Sequence, residues 1–168
     1  VGHSMGGLIS AFYLLDYQDG LTGAVLSAPA VKIPDSVSPV TVFIGKLLSA
    51  LFPKFGLIQI ESDGISRDAE VVRAYENDPL VCRGKISARL AAEMLRAMKR
   101  VTVEAAKISL PVLLLQGTAD RIVDPTGAQM LFDSIGSGKK EIKHYEGLYH
   151  EVFNEPEKDA VVEDMILW

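Results

Sequence analysis

Four aliphatic residues in a row, Val112-Leu113-Leu114-Leu115, stand between Pro111 and Gln116-Gly117, and a second short run, Ala24-Val25-Leu26-Ser27, stops just before Pro29. Runs this short, without polar alternation, predict strands covered on both faces, the condition of a parallel sheet between two helical layers. A third strand is expected at about 141–145, where Ile142 and His144 alternate with charged or aromatic neighbours. Helices are expected at about 5–17, 126–135 and 156–168. Strands alternating with helices imply an α/β fold built on a mostly parallel, doubly wound sheet.

Between residues 30 and 108 the strand signal vanishes. Three helical stretches are expected there, at about 37–52, 69–75 and 85–106, with Pro34, Pro39, Pro53, Gly56, Gly64 and Pro79 marking their limits. The chain is therefore expected to divide into a core portion 1–29, an inserted helical subdomain 30–108 and a second core portion 109–168. The longest insert helix places Ile86, Leu90, Met94, Met98 and Val101 on one stripe, expected to be core packing.

With 48% apolar and 23% charged residues in 168, the chain has the composition of one packed globular unit. Its net charge of −5 opposes nucleic-acid binding, which draws affinity from basic residues neutralising phosphates. The lone Cys82 excludes an internal disulfide, so it is expected to be a small buried hydrophobe and cytoplasmic residence is favoured. The histidines and the cysteine lack metal-ligand spacing, so no metal is expected. Gly136 and Gly138 lack the Lys-Ser/Thr of a phosphate loop and fit a plain helix-to-strand turn. The chain opens at Val1-Gly2-His3-Ser4 without an initiator Met and is expected to be the C-terminal portion of a longer protein.

Gly2-His3-Ser4-Met5-Gly6 fits G-x-S-x-G, a turn so sharp that its serine is strained and its hydroxyl exposed. Glycines two residues before and after the serine are expected because side chains there would collide, with Gly7 easing the contact further. Ser4 is the expected nucleophile. The helix beginning at Met5 points its positive end at the reacting centre, so the Met5 N–H is an expected oxyanion donor.

Asp120 follows the aliphatic strand through Gly117-Thr118-Ala119, at the C-terminal edge of the sheet, which suits a triad acid that fixes a histidine tautomer. Asp124, the rival, precedes Pro125 and looks like a helix N-cap. His144 falls inside a strand and is expected to be structural, while His3 adjoins the nucleophile and is expected to line the pocket. His150, in a loop beyond the last strand, is the expected general base.

These residues carry a resemblance. Gly2-His3-Ser4-Met5-Gly6-Gly7, Gln116-Gly117-Thr118-Ala119-Asp120-Arg121 and Tyr145-Glu146-Gly147-Leu148-Tyr149-His150-Glu151 together resemble monoacylglycerol lipases and bacterial lysophospholipase-like hydrolases of the α/β-hydrolase fold. Ser66-Arg67-Asp68 and the run from Tyr75 to Arg83 look like the cap, or lid, of that family. The resemblance implies a catalytic triad of Ser4, Asp120 and His150, with His3 and Tyr75 holding the glycerol end of the substrate. It implies a serine hydrolase that cleaves esters of single-chain lipids through an acyl-enzyme, without a cofactor. Acyl transfer by the same triad and non-catalytic lipid binding are the alternatives. The family also has strands before the elbow and a loop supplying a second oxyanion N–H, so this chain alone is expected to be nearly inactive.

The segment 40–52 carries Val42, Phe43, Ile44, Leu47, Leu48, Leu51 and Phe52 with only Lys46 charged. It is shorter than the roughly 20 residues that span a bilayer. An acyl-chain wall, a lid making peripheral membrane contact, and ordinary burial remain open for it.

Overall fold

The computed structural model describes residues 1–33 and 37–168; Pro34, expected to mark a helix limit, lies outside the described residues. Along the chain run β1 (Gly2–His3), α1 (Met5–Leu14), β2 (Ala24–Ser27), α2 (Pro39–Leu51), β3 (Gly56–Ile58) and α3 (Ala69–Asn77). These are followed by β4 (Ile86–Ser87), α4 (Ala88–Glu104), β5 (Val112–Gly117), α5 (Thr126–Ser134), β6 (Lys140–Tyr145) and α6 (Lys158–Leu167). The two aliphatic runs are neighbours in a four-stranded parallel sheet of order β1-β2-β5-β6, with Leu26 opposite Leu114 and Leu114 opposite Ile142.

All six residues of β5 are buried, and its side chains divide by parity. Val112 and Leu114 join Leu8, Leu14, Val101, Ile108 and Leu131, which belong to the layer of α1, α4 and α5. Leu113 and Leu115 join Leu148, Val152 and Val161 on the opposite face, under α6. Each of the four aliphatic side chains of β5 thus has an apolar layer to enter, whichever way the pleat points it. That explains why the strand carries no polar alternation.

The segment between β2 and β5 departs from expectation in three places. It is not free of strands, because β3 and β4 pair antiparallel, with Gly56 opposite Ser87 and Ile58 opposite Ile86. Strands of three and two residues are too short to show a period of two. Ile86 consequently belongs to β4 and not to the helical stripe; of that stripe Met98 and Val101 are buried, while Leu90 is 40% exposed. Cys82 is exposed, not buried, since it lies in the connection between α3 and β4 and not in a core layer.

Helix α2 packs on α4, yet its large apolar residues face outward, Val40, Phe43 and Leu47 being 66%, 68% and 53% exposed. Ordinary burial therefore does not account for its composition. Among the described residues no helix is long and apolar enough to cross a membrane. Helix α1 stops at Leu14, three residues earlier than expected, because the amides of Leu15 and Asp16 tighten onto the carbonyls of Phe12 and Tyr13.

Candidate active site

Ser4 joins β1 to α1 with φ 52° and ψ −120°, a conformation that L side chains rarely adopt. Three backbone hydrogen bonds hold it there. The Ser4 N–H donates to the Ser27 carbonyl at 2.9 Å, and the Ser4 carbonyl accepts the Leu8 and Ala30 N–H groups, each at 3.1 Å. Strain of order 1–3 kcal/mol persists only when surrounding structure over-determines it, and here the next strand and the first helical turn do so. The hydroxyl makes no side-chain cap with α1 and stays available. Met5 opens the helix, where amides have no acceptor within the helix, so its N–H faces the same end.

The steric demand for glycine falls differently from expectation. A Cβ on Gly2 would meet Ser10 Oγ at 2.4 Å and the Gly6 carbonyl oxygen at 2.6 Å, and one on Gly7 would meet Pro29 at 2.9 Å. A Cβ on Gly6 would meet nothing within 4 Å. The crowding thus lies where α1 crosses β1 and the Pro29 turn, and Gly6 points away from both.

Asp120 lies just past the end of β5, its side chain fully buried and its carboxylate saturated. Oδ1 accepts the Ile122 and Val123 N–H groups at 2.8 and 3.0 Å. Oδ2 accepts His150 Nδ1 at 2.8 Å and Gln116 Nε2 at 3.1 Å. Because an ionised carboxylate only accepts, Nδ1 carries a proton, and in the neutral ring the lone pair is then on Nε2. Gln116 opens one of the segments that carry the resemblance, but the sequence alone assigns it no role. Its Nε2 also donates to the Gly117 carbonyl at 3.0 Å, and its Oε1 is a buried oxygen without a hydrogen-bond partner among the described residues.

His150 is 3% exposed, on a loop clasped to the end of β5. The Ala119 N–H donates to the Leu148 carbonyl at 3.0 Å, and Gly147 N–H to Thr118 Oγ1 at 2.9 Å. A Cβ on Gly117 would meet the Tyr149 carbonyl oxygen at 2.3 Å, so this approach requires glycine.

His3 stands between the elbow and this loop. Its ring lies against that of His150, centroids 4.7 Å apart, and its Nδ1 is 3.3 Å from Ser27 Oγ. Burial first, and then the His150 charge, hold the His3 imidazole below its ordinary pKa. The structure thus brings His3, Asp120 and His150 together at the C-terminal sheet edge beside the Ser4 turn. Tyr75 is elsewhere, on α3, lining a cavity of about 510 Å³ whose walls include none of those four residues.

The remaining candidates are engaged. Asp124 accepts Thr126 N–H at 3.0 Å and pairs with Lys32 at 2.7 Å, which holds its carboxyl below the usual range. It serves α5 from one residue farther out than the N-cap position, which Pro125 occupies. His144 is exposed on β6, 3.3 Å from Gln129 Oε1.

The family model for serine aminopeptidase, S33 (Hydrolase_4) matches residues 1–157. The chain belongs to this family. It is similar to a monoacylglycerol lipase of Mycolicibacterium smegmatis, 40% identical over all of this chain and 60% of the relative. It is likewise similar to a monoglyceride lipase of Mus musculus, 39% identical over all of this chain and 56% of the relative. Among solved structures, the monoacylglycerol lipase of Paleococcus ferrophilus superposes with a TM-score of 0.91 at 34% identity, over 99% of this chain and 65% of that one. A soluble variant of the Saccharomyces cerevisiae monoglyceride lipase, in complex with a substrate analogue, gives 0.84 at 26% identity, over 99% of this chain and 62% of that one. The chain therefore spans less than two thirds of these relatives, and its architecture is that of an α/β-hydrolase.

Proposed function

We propose that the protein containing this chain is a serine hydrolase that cleaves the carboxylic ester of a single-chain lipid, a monoacylglycerol or a lysophospholipid-like molecule. The reading is supported by a strained, backbone-pinned Ser4, by a bonded Asp120–His150 pair past the end of β5, and by the His3 ring, next to Ser4 in sequence, lying against that of His150. The first two features serve nucleophilic acyl transfer and neither is needed for stability alone.

In this reading His150 Nε2 takes the Ser4 proton as Oγ adds to the ester carbonyl, and the Met5 N–H donates to the oxygen that becomes negative. His150 then returns the proton to the departing alcohol, leaving an acyl-Ser4 ester. A water molecule, deprotonated by the same nitrogen, releases the fatty acid and restores Ser4. Asp120 holds the tautomer and stabilises the imidazolium in both halves. His3, kept mainly neutral by burial, contributes a hydrogen-bonding edge to the alcohol end of the substrate.

An apolar groove of about 280 Å³ begins at Met5 and runs between α1 and α4 past Leu8, Ile9, Phe12, Leu90 and Met94. It supports the choice of a lipid acyl chain, since its surface is mostly apolar, with Glu93 and Arg96 also on its walls, and Met5 at one end follows Ser4 in sequence. The segment 30–108 acts as the cap over this site, and the outward apolar face of α2 makes peripheral contact with lipid.

The test is hydrolysis by the full-length protein of 1- and 2-monoacylglycerols, a lysophosphatidylcholine and a diacylglycerol, with products analysed with and without added glycerol. Release of free fatty acid from the single-chain esters supports the reading. Preference for the diacylglycerol, or acyl transfer to glycerol in place of hydrolysis, contradicts it.

A further inference from the structure

One buried carboxylate takes no part in the chemistry above. Glu155 follows the His150 loop and is 1% exposed. Its Oε1 accepts the Tyr149 N–H at 2.8 Å and the Arg67 N–H at 3.2 Å, and its Oε2 accepts Arg67 Nε–H at 2.9 Å. A second arm of the Arg67 guanidinium reaches Glu157. The hydrogen bond to Glu155 is the leading reason that the Arg67 pKa lies above its ordinary range. A buried carboxylate persists only with donors to replace water, and three N–H groups do that here.

The partners are informative because of what they flank. The amide before His150, that of Tyr149, ends on Glu155 and through it on Arg67. The amide after His150, that of Glu151, donates directly to the Ile65 carbonyl at 2.8 Å. Close by, Ser66 Oγ donates to the Asn154 carbonyl at 3.0 Å. Both sides of His150 are therefore tied to one segment, 65–67, which belongs to the stretch between β2 and β5 rather than to the sheet.

We propose that Glu155, held by Arg67, is a positioning residue for His150, fixing its loop to the helical insert so that Nε2 keeps register with Ser4. The proposal rests on the assignment of His150 as the general base. Asp120 fixes one ring nitrogen, which leaves the ring free to swing about that bond; the flanking backbone must be anchored to fix the other nitrogen. Beyond the clasp of Gly147 and Leu148 to the end of β5, Glu155 anchors the amide before His150 and Ile65 the amide after it.

In the full-length protein, Glu155→Gln keeps the side-chain size but turns an amide NH2 toward the Arg67 donors. Arg67→Lys keeps the charge and loses the Nε–H donor. Titrating active sites with a fluorophosphonate, then measuring kcat and KM per titrated site on a monoacylglycerol, separates positioning from folding. Both variants are expected to lose about 10- to 100-fold in kcat, the scale of a small misplacement of a reacting group, with KM changed by less than about twofold. Unchanged kcat per titrated site in both variants overturns the proposal, whatever their melting temperatures. So does a rise in KM alone, which assigns the pair to substrate binding. His150→Ala, measured beside them, separates two failures. If it keeps its activity, the base assignment falls and this inference with it. If it is inactive while Glu155→Gln and Arg67→Lys match the wild type, only the anchor is overturned.

Discussion

Oδ2 of Asp120 and Nδ1 of His150 are 2.8 Å apart, and the other carboxylate oxygen already holds the Ile122 and Val123 amides. The acid is thus part of a turn as well as partner to a base, and its two oxygens have separate duties. Asp120→Asn can still accept from the turn amides with its one oxygen, but its NH2 then faces His150 Nδ1 and favours the wrong tautomer. The expected outcome is a loss of about 10³- to 10⁴-fold in kcat with the fold intact, measured by ester hydrolysis and circular dichroism. Asp120→Ala also leaves the turn amides unpaired and is expected to destabilise by a further 1–3 kcal/mol or so per buried group, read from urea titration.

Gly117→Ala is expected to damage activity and stability together. Its new methyl would enter the space of the Tyr149 and Leu148 carbonyls, so the His150 loop must move away from β5. Overpacking of this kind costs about 1–3 kcal/mol. Chemical denaturation and kcat should both fall, whereas Gly6→Ala, facing open space, should retain stability.

The depressed His3 pKa makes a pH prediction. In the unfolded chain His3 titrates near its ordinary 6.5, and in the folded protein below it. Between those values the unfolded state binds the extra proton, so stability is full above about pH 6.5 and falls as the pH drops toward the folded value. Burial is the leading cause of the shift; among the neighbours His150 lowers the pKa, and Glu151, Asp120 and the Ser27 backbone raise it. A His3→Gln variant should show a shallower loss of melting temperature between about pH 6.5 and 5 than the wild type.

Much of the core was legible because its signals are local. The aliphatic runs 24–27 and 112–115 announce doubly covered strands, and the elbow and its following helix are contiguous in sequence. Other features depend on partners far along the chain. Glu155, next to Pro156 in an acidic stretch, has the sequence appearance of a solvated residue, and its burial depends on Arg67, 88 positions away, together with the Tyr149 amide. Ala28 adopts φ 42° immediately before Pro29, although its type predicts an extended backbone; its amide bonds Leu115 across the sheet, a tertiary constraint that overrides local preference. The short β3–β4 ribbon and the exposure of Cys82 escaped for the same reason, since two- and three-residue strands leave no periodicity and coverage depends on neighbours.

The outward face of α2 separates contact with lipid from stability. Phe43→Ser combined with Leu47→Ser alters residues 68% and 53% exposed. Each change should therefore move stability by no more than about 0.5 kcal/mol. Co-sedimentation of the full-length protein with phosphatidylcholine vesicles should drop several-fold in the double variant, and hydrolysis of a soluble short-chain ester should stay within about twofold. Equal sedimentation of the two proteins would remove the membrane role of α2.

The assignment of Ser4, Asp120 and His150 as one nucleophilic unit is tested most directly by mass spectrometry of the full-length protein after treatment with a fluorophosphonate. The account predicts a single covalent adduct on the peptide carrying Ser4, absent from Ser4→Ala and slowed at least a hundredfold or so in His150→Ala. Wild-type protein without an adduct on Ser4, or His150→Ala labelled at the wild-type rate, would contradict it.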